Sequence, residues 1–285
     1  MRAALALVPL ALLLGGCGGD RKAVSPAPPV AIVPGTSDYA PGDVRLSFLV
    51  VDRDGQAITS PTAKVWVARG RKAKPFQRTT AKLETTQTGG GDLAHAKLYV
   101  AHLRIPAPGT YWVLTEPVGA SKSIQAFGTL VVRAHSASIG VGERAPASKT
   151  PTLASTGGDL KALTTATPPD RALLRYSVAE SLRAKVPFVL VFATPRFCTS
   201  RTCGPMVDVV QEVQTRFAGR RVRFIHVEIY EGNDPTKGEN RWVGEWRLPT
   251  EPYTFLVGAD GRVKAKFEGA ISVRELEAAV REELL

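Results

Sequence analysis

VPFVLVFATPRFCTSRTCGPM, residues 186–206, is the stretch on which the fold turns. A nearly unbroken apolar run, 187–193, ends in a loop that carries Cys198 and Cys203, and the Gly204-Pro205 step then opens a helix. Such a run is the pattern of a strand covered on both faces. The helix start that follows offers unpaired N–H groups and the positive end of a dipole, which favour a thiolate. Arg196 and Arg201 flank the cysteines and are expected to tune the thiols in the same direction. The chain has only three cysteines, and two of them stand here, five positions apart.

Working outward, the spacing predicts an α/β rhythm. Upstream, Ser177 and Glu180 form a capping box for a helix reaching about residue 184. Downstream, Met206, Val209, Val210, Val213 and Phe217 share one helical face, and Gly219 ends it. Residues 222–229 and 253–257 read as strands, and Asp260-Gly261 turns the second into 263–267. Ser272 and Glu275 cap a last helix with Val273, Leu276, Ala279, Val280 and Leu284 on one face. Trp242 and Trp246, four apart, are expected to pack on the core.

This order of elements resembles the thioredoxin superfamily over residues 139–285, with Val141-Gly142-Glu143-Arg144-Ala145-Pro146 similar to its Gly-x-x-Ala-Pro entry segment. Pro252 falls where thioredoxins keep a cis-proline beside the thiols, and Gly269 matches a glycine of the family. The cysteines depart from the pattern: Cys198 and Cys203 are separated by four residues instead of two, and Met206 follows Cys203-Gly204-Pro205 where a second Cys would stand. The resemblance implies a C-terminal α/β thioredoxin-like fold and thiol–disulfide oxidoreductase chemistry. Cys198, Cys203 and Pro252 would be the catalytic residues, with a Cys198–Cys203 disulfide and no bound organic cofactor. In one register Cys203 is the activated thiolate and Cys198 resolves; in the other the roles reverse. Cys198 is favoured as attacker because it lies nearer the exposed strand end.

Two alternatives stand beside this. Thr194-Pro195-Arg196-Phe197-Cys198-Thr199 resembles a peroxiredoxin pattern, but its Pro is one residue out of step and Pro252 occupies the place of the arginine that polarises peroxide. A copper-handling or merely structural dithiol is the other. Soft thiolates suit copper(I), yet His95, His102, His135 and His226 all lie outside the 231–252 loop where a third ligand is expected, so no metal site is assigned.

The first half has a different character. Met1-Arg2, an apolar core over 3–14, and Leu14-Gly15-Gly16-Cys17 resemble a bacterial lipoprotein signal, residues 1–16, with lipid attachment at Cys17. Such an anchor implies the extracytoplasmic face of the cell membrane and leaves one pair of thiols in an oxidising compartment. Residues 17–37 are a Pro-rich tether. Residues 38–134 read as short strands parted by turns, an Ig-like β-sandwich without a cysteine staple. The formal charge of +11 suits an anionic surface; the charges are scattered and no recognition motif appears, so nucleic acid is not an expected partner. The whole resembles exported thioredoxin-domain lipoproteins of actinobacterial type, whose expected partners are exported protein thiols and disulfides and a thiol electron donor or acceptor.

Overall fold

The computed structural model describes residues 30–88, 97–119, 124–200 and 202–285. The signal peptide, the Cys17 lipid site, most of the tether, His95 and Arg201 lie outside the described residues.

Seven strands build the first half: β1 (Val30–Pro34), β2 (Gly42–Asp52), β3 (Thr62–Ala68), β4 (Gln77–Thr85), β5 (Lys97–Ile105), β6 (Gly109–Pro117) and β7 (Ala126–Val132). They form one sheet in the order β1-β2-β5-β4-β3-β6-β7, with every ladder antiparallel. The edges nearly meet. Tyr39 bridges to Val132 in β7, and a Cβ added at Gly128 of β7 would lie 3.2 Å from Ile32 of β1. Alternate positions, pointing to one face as a pleat requires, deliver Phe48, Val65, Tyr99, Ile105 and Tyr111 to one core, while Leu98 and Val100 of β5 are buried on the other face with Ala270. Tyr99 stacks on Phe48 with centroids 5.4 Å apart, and its hydroxyl accepts the Ser60 N–H at 2.7 Å.

The second half adds α1 (Val178–Arg183), β8 (Phe188–Phe192), α2 (Cys203–Arg216), β9 (Arg223–Val227), α3 (Arg241–Glu245), β10 (Tyr253–Val257), β11 (Val263–Glu268) and α4 (Val273–Leu284). Its sheet runs β11-β10-β8-β9, with β8 and β9 parallel and the other two pairings antiparallel. The serines at 177 and 272 cap α1 and α4, each with its reciprocal glutamate. Trp246 is fully buried against Phe192 and Phe255.

The expected fold class is corrected on both sides. Among the described residues the protein is mostly β, 35% strand against 19% helix, with no clear α/β thioredoxin domain. In the second half one strand pairing of three is parallel, and α2 and α4 cover one face of the sheet. The other face carries the short α1 and α3 with irregular chain around Ile139, so the alternation of helix and strand does not become helical layers on both sides. In the first half a single nearly closed sheet replaces the expected sandwich of two sheets. Its first strand, β1, begins inside the segment assigned to the tether. There the apolar run after Pro29 pairs with β2 instead of staying extended and free.

The two halves meet through buried charge. Arg45 of β2 grips Glu275 of α4 with two bonds, 2.8 and 3.0 Å, both side chains about nine-tenths buried. Asp38 accepts from Lys266 Nζ at 2.8 Å, from the Ser138 hydroxyl and from the Ala137 N–H. Burial alone would raise the Asp38 carboxyl, but the bonds from Lys266, Ser136 and Ala137 outweigh it and hold it well below the carboxylate range. Glu84 of β4 pairs with Arg274 and accepts the Ser272 hydroxyl at 3.0 Å. Gly269 has φ +71° and lies so close to the first half that a Cβ would stand 2.5 Å from the Gly35 carbonyl oxygen. No larger residue fits there.

Candidate thiol site

Strand β8 is buried along its whole length and ends at Phe192; the cysteine loop leaves from that end. Register pairs Tyr253 with Phe192, so Pro252, just ahead of β10, sits beside the mouth of the loop. The Glu251–Pro252 peptide bond is cis. Helix α2 begins at Cys203, and its N-cap Thr202 makes no side-chain cap. The Cys203 N–H, first of the helix, points instead at Cys198 Sγ, 3.3 Å away, so the sulfur satisfies one of the helix's otherwise unpaired donors. Ser200 Oγ lies 3.2 Å from the same sulfur and 2.7 Å from Thr202 Oγ1.

The environment separates the two cysteines. Cys198 is half-buried and Cys203 fully buried, and both are free thiols. Hydrogen bonding from the Cys203 thiol is the main cause that draws Cys198 down to about 5. Burial opposes it, and Ser200 with the N–H groups of Cys203 and Thr202 reinforces it. The same contact, read from the other side, pushes the Cys203 thiol far up, and burial adds to the rise. The shared contact thus favours the thiolate on Cys198 and the thiol on Cys203.

A third group joins them. Cys198 Sγ, Cys203 Sγ and a carboxylate oxygen of Glu251 all lie within 4.8 Å of one another. Burial raises the Glu251 carboxyl, and the Cys198 thiolate and Glu239 raise it further. Two soft sulfurs and one oxygen form a set that could hold copper(I) or zinc. The described histidines stand apart from this set. His102 and His135 are exposed. His226 is buried in β9, with its ring nitrogens 3.0 Å from the Ala193 carbonyl and 3.4 Å from Thr164 Oγ1.

The structure thus brings Cys198, Cys203 and the Pro252 turn together. Arg196 is directed elsewhere: its guanidinium lies over the Phe197 ring, 5.4 Å from the centroid, and its backbone N–H donates to Thr165 Oγ1. The leading influences on Cys198 are hydrogen-bond donors and burial, not this cation. Sequence reasoning missed Ser200 and Glu251. Their only signals were a hydroxyl inside the cysteine loop and an acid directly before the proline.

A cleft of about 400 Å3 opens beside the site, between the halves of the molecule. Val33, Pro34, Leu49 and Leu98 line it from the first half, and Ser200, Thr202 and Glu251 from the second.

No protein-family model matches the chain, and no curated protein matches it. Solved structures similar to parts of it include the native alpha-2-macroglobulin of E. coli, 20% identical at a TM-score of 0.25, covering 45% of this chain and 7% of that one. The PKD domain of human SorCS2 is 16% identical at a TM-score of 0.19, covering 46% of this chain and 95% of the domain. The Lin-41 filamin domain is 14% identical at a TM-score of 0.20, covering 38% and 95%. The chain thus spans under a tenth of the macroglobulin it matches. Similarity at this level carries no argument about either half.

Proposed function

We propose that the protein is a thiol–disulfide oxidoreductase in which Cys198 attacks and Cys203 resolves. One observation carries this: a half-buried sulfur that faces the Cys203 N–H and the Ser200 hydroxyl, with a second, fully buried sulfur within 4.8 Å of it. The thiolate attacks one sulfur of a partner disulfide, the partner's S–S bond breaks, and one partner thiolate leaves. Cys203 then attacks Cys198 Sγ, the mixed disulfide breaks, and the second partner thiol leaves. The protein is oxidised by two electrons and the partner disulfide is reduced; the reverse sequence oxidises a dithiol. The apolar cleft beside Ser200 and Glu251 suits a polypeptide with an apolar side chain near its disulfide. Exported proteins are the proposed partners, reached from the outer face of a membrane to which lipid on Cys17 anchors the chain.

The test uses a peptide disulfide and single-cysteine variants. Cys203→Ser is expected to accumulate a mixed disulfide on Cys198, identified by mass after digestion. Cys198→Ser is expected to accumulate none. A stable adduct on Cys203 in the Cys198→Ser protein, or no adduct in either, would overturn the assignment.

A further inference from the structure

Resolution in this mechanism needs a base. Cys203 is fully buried, and it must lose its proton before its sulfur can attack. We infer that the Glu251 carboxylate takes that proton and returns it to the departing partner sulfur, so that Glu251 is the proton relay of the dithiol site. This rests on the exchange chemistry proposed above and assigns a role to a residue outside the cysteine motif.

Geometry selects Glu251. Its carboxylate oxygen lies within 4.8 Å of both sulfurs, a gap that one water bridges. Other acid–base groups near the loop lie outside the group that the two sulfurs form with Glu251. His226 has both ring nitrogens against Ala193 and Thr164. One oxygen of Glu228 accepts the N–H and hydroxyl of Thr165, and the other is buried without a partner among the described residues. Asp208 of α2 lines a separate cleft with Arg196. The charged and titratable groups around Glu251 are Cys198 from the loop, Cys203 from α2, and Glu239 and Tyr230 from the segment after β9. Lys97 of β5 and Glu268 of β11 line the same cleft. Glu268 is bound by Ser37, Asp38 and Thr250, which leaves Glu251 as the carboxylate aimed at the sulfurs.

The step balances. In the mixed disulfide Cys198 carries no charge. The Cys203 S–H bond breaks, its proton goes to a Glu251 oxygen, and its electron pair forms the bond to Cys198 Sγ. The bond from Cys198 to the partner breaks, and the partner sulfur leaves with that pair and takes the proton from Glu251. Glu251 ends as it began.

The test is stopped-flow reaction of the reduced full chain with 5,5′-dithiobis(2-nitrobenzoate) from pH 5 to 9. The first thionitrobenzoate reports attack by Cys198, and the second reports resolution. Cys203→Ser marks the first release alone. Glu251→Gln is expected to leave the first release within about threefold of wild type and to slow the second by about 100-fold, the usual worth of a positioned base. In that variant the second release should rise with pH across the range, whereas wild type levels off. Glu251→Asp should recover most of the lost rate. A second release in Glu251→Gln within twofold of wild type and with the same pH profile would overturn the relay. So would Glu251→Asp as slow as Glu251→Gln, which would mark a merely structural role. A wild-type protein that releases no thionitrobenzoate overturns the exchange chemistry itself, a result distinct from either.

Discussion

Two clusters of buried charge lie along the junction of the two halves, and they are built on opposite rules. At the Arg45–Glu275 and Asp38–Lys266 contacts each acid meets a cation and several hydrogen-bond donors. At the thiol site a thiolate and the Glu251 carboxylate lie within 4.8 Å of each other, and the thiolate is held by donors from the start of α2 and from Ser200. Removing one member of a buried pair strands the other, so the first arrangement resists change. The second arrangement keeps like charges together and is relieved when Cys198 forms a bond. The junction holds the molecule together at one end and holds reactive sulfur ready at the other.

The largest expected effect breaks the second cluster. Cys198→Ala should abolish exchange with any disulfide, because the buried Cys203 cannot replace it; residual turnover above background in that variant would mean the wrong sulfur has been assigned. Breaking the first cluster should act on stability instead. Glu275→Gln leaves Arg45 charged and nine-tenths buried, and urea unfolding should show a loss of about 3–5 kcal/mol. The Cys198 alkylation rate in that variant, measured well below the urea midpoint, should be unchanged.

Acid should separate the clusters again. Asp38 is depressed, so its contribution is present above its ordinary value of 3.8 and is lost as pH falls below it. Unfolding free energies from urea at pH 7 and pH 3 should differ by about 1 kcal/mol more in wild type than in Asp38→Asn. Cys198 is depressed too, so its alkylation should be flat from pH 6 to 8 and decline through about 5. Ser200→Ala should move that midpoint up by about one pH unit, the worth of one hydrogen bond to a charge. The smallest effect concerns the cleft. Val33 is 43% exposed at its edge, and Val33→Trp should slow exchange with a protein disulfide about threefold while sparing a small aromatic disulfide, the scale of one altered apolar contact.

Much of the thiol site was legible because its signals are local. A buried run, two cysteines, a Gly-Pro helix start and a Glu-Pro step all lie within short stretches, and the Ser–Glu boxes mark α1 and α4. What the spacing could not carry was long-range. The apolar run of β1 is short and follows several prolines, so it read as tether. β4 (Gln77–Thr85) hides its alternation under outward charges such as Arg78 and Lys82 and buries only Ala81 and Glu84 fully. Closure of the first sheet depends on Tyr39 meeting Val132, and the junction on Arg45 meeting Glu275, pairs far apart in the chain. The α/β rhythm of the second half placed strands and helices but not their layering, and that is why the expected thioredoxin-like class did not hold. The tuning of Cys198 was expected from Arg196 and Arg201; among the described residues hydrogen bonds lead it, and their geometry is invisible in a list of residue types.

The central claim is that Cys198 and Cys203 cycle between thiols and a disulfide. Equilibration of the full chain in glutathione and dithiothreitol buffers, read by mass after alkylation, tests it most directly. A single two-electron transition between about −120 and −270 mV, absent from Cys203→Ser, is the expected result. A pair that never joins, or one that stays oxidised to well below about −300 mV, would contradict it.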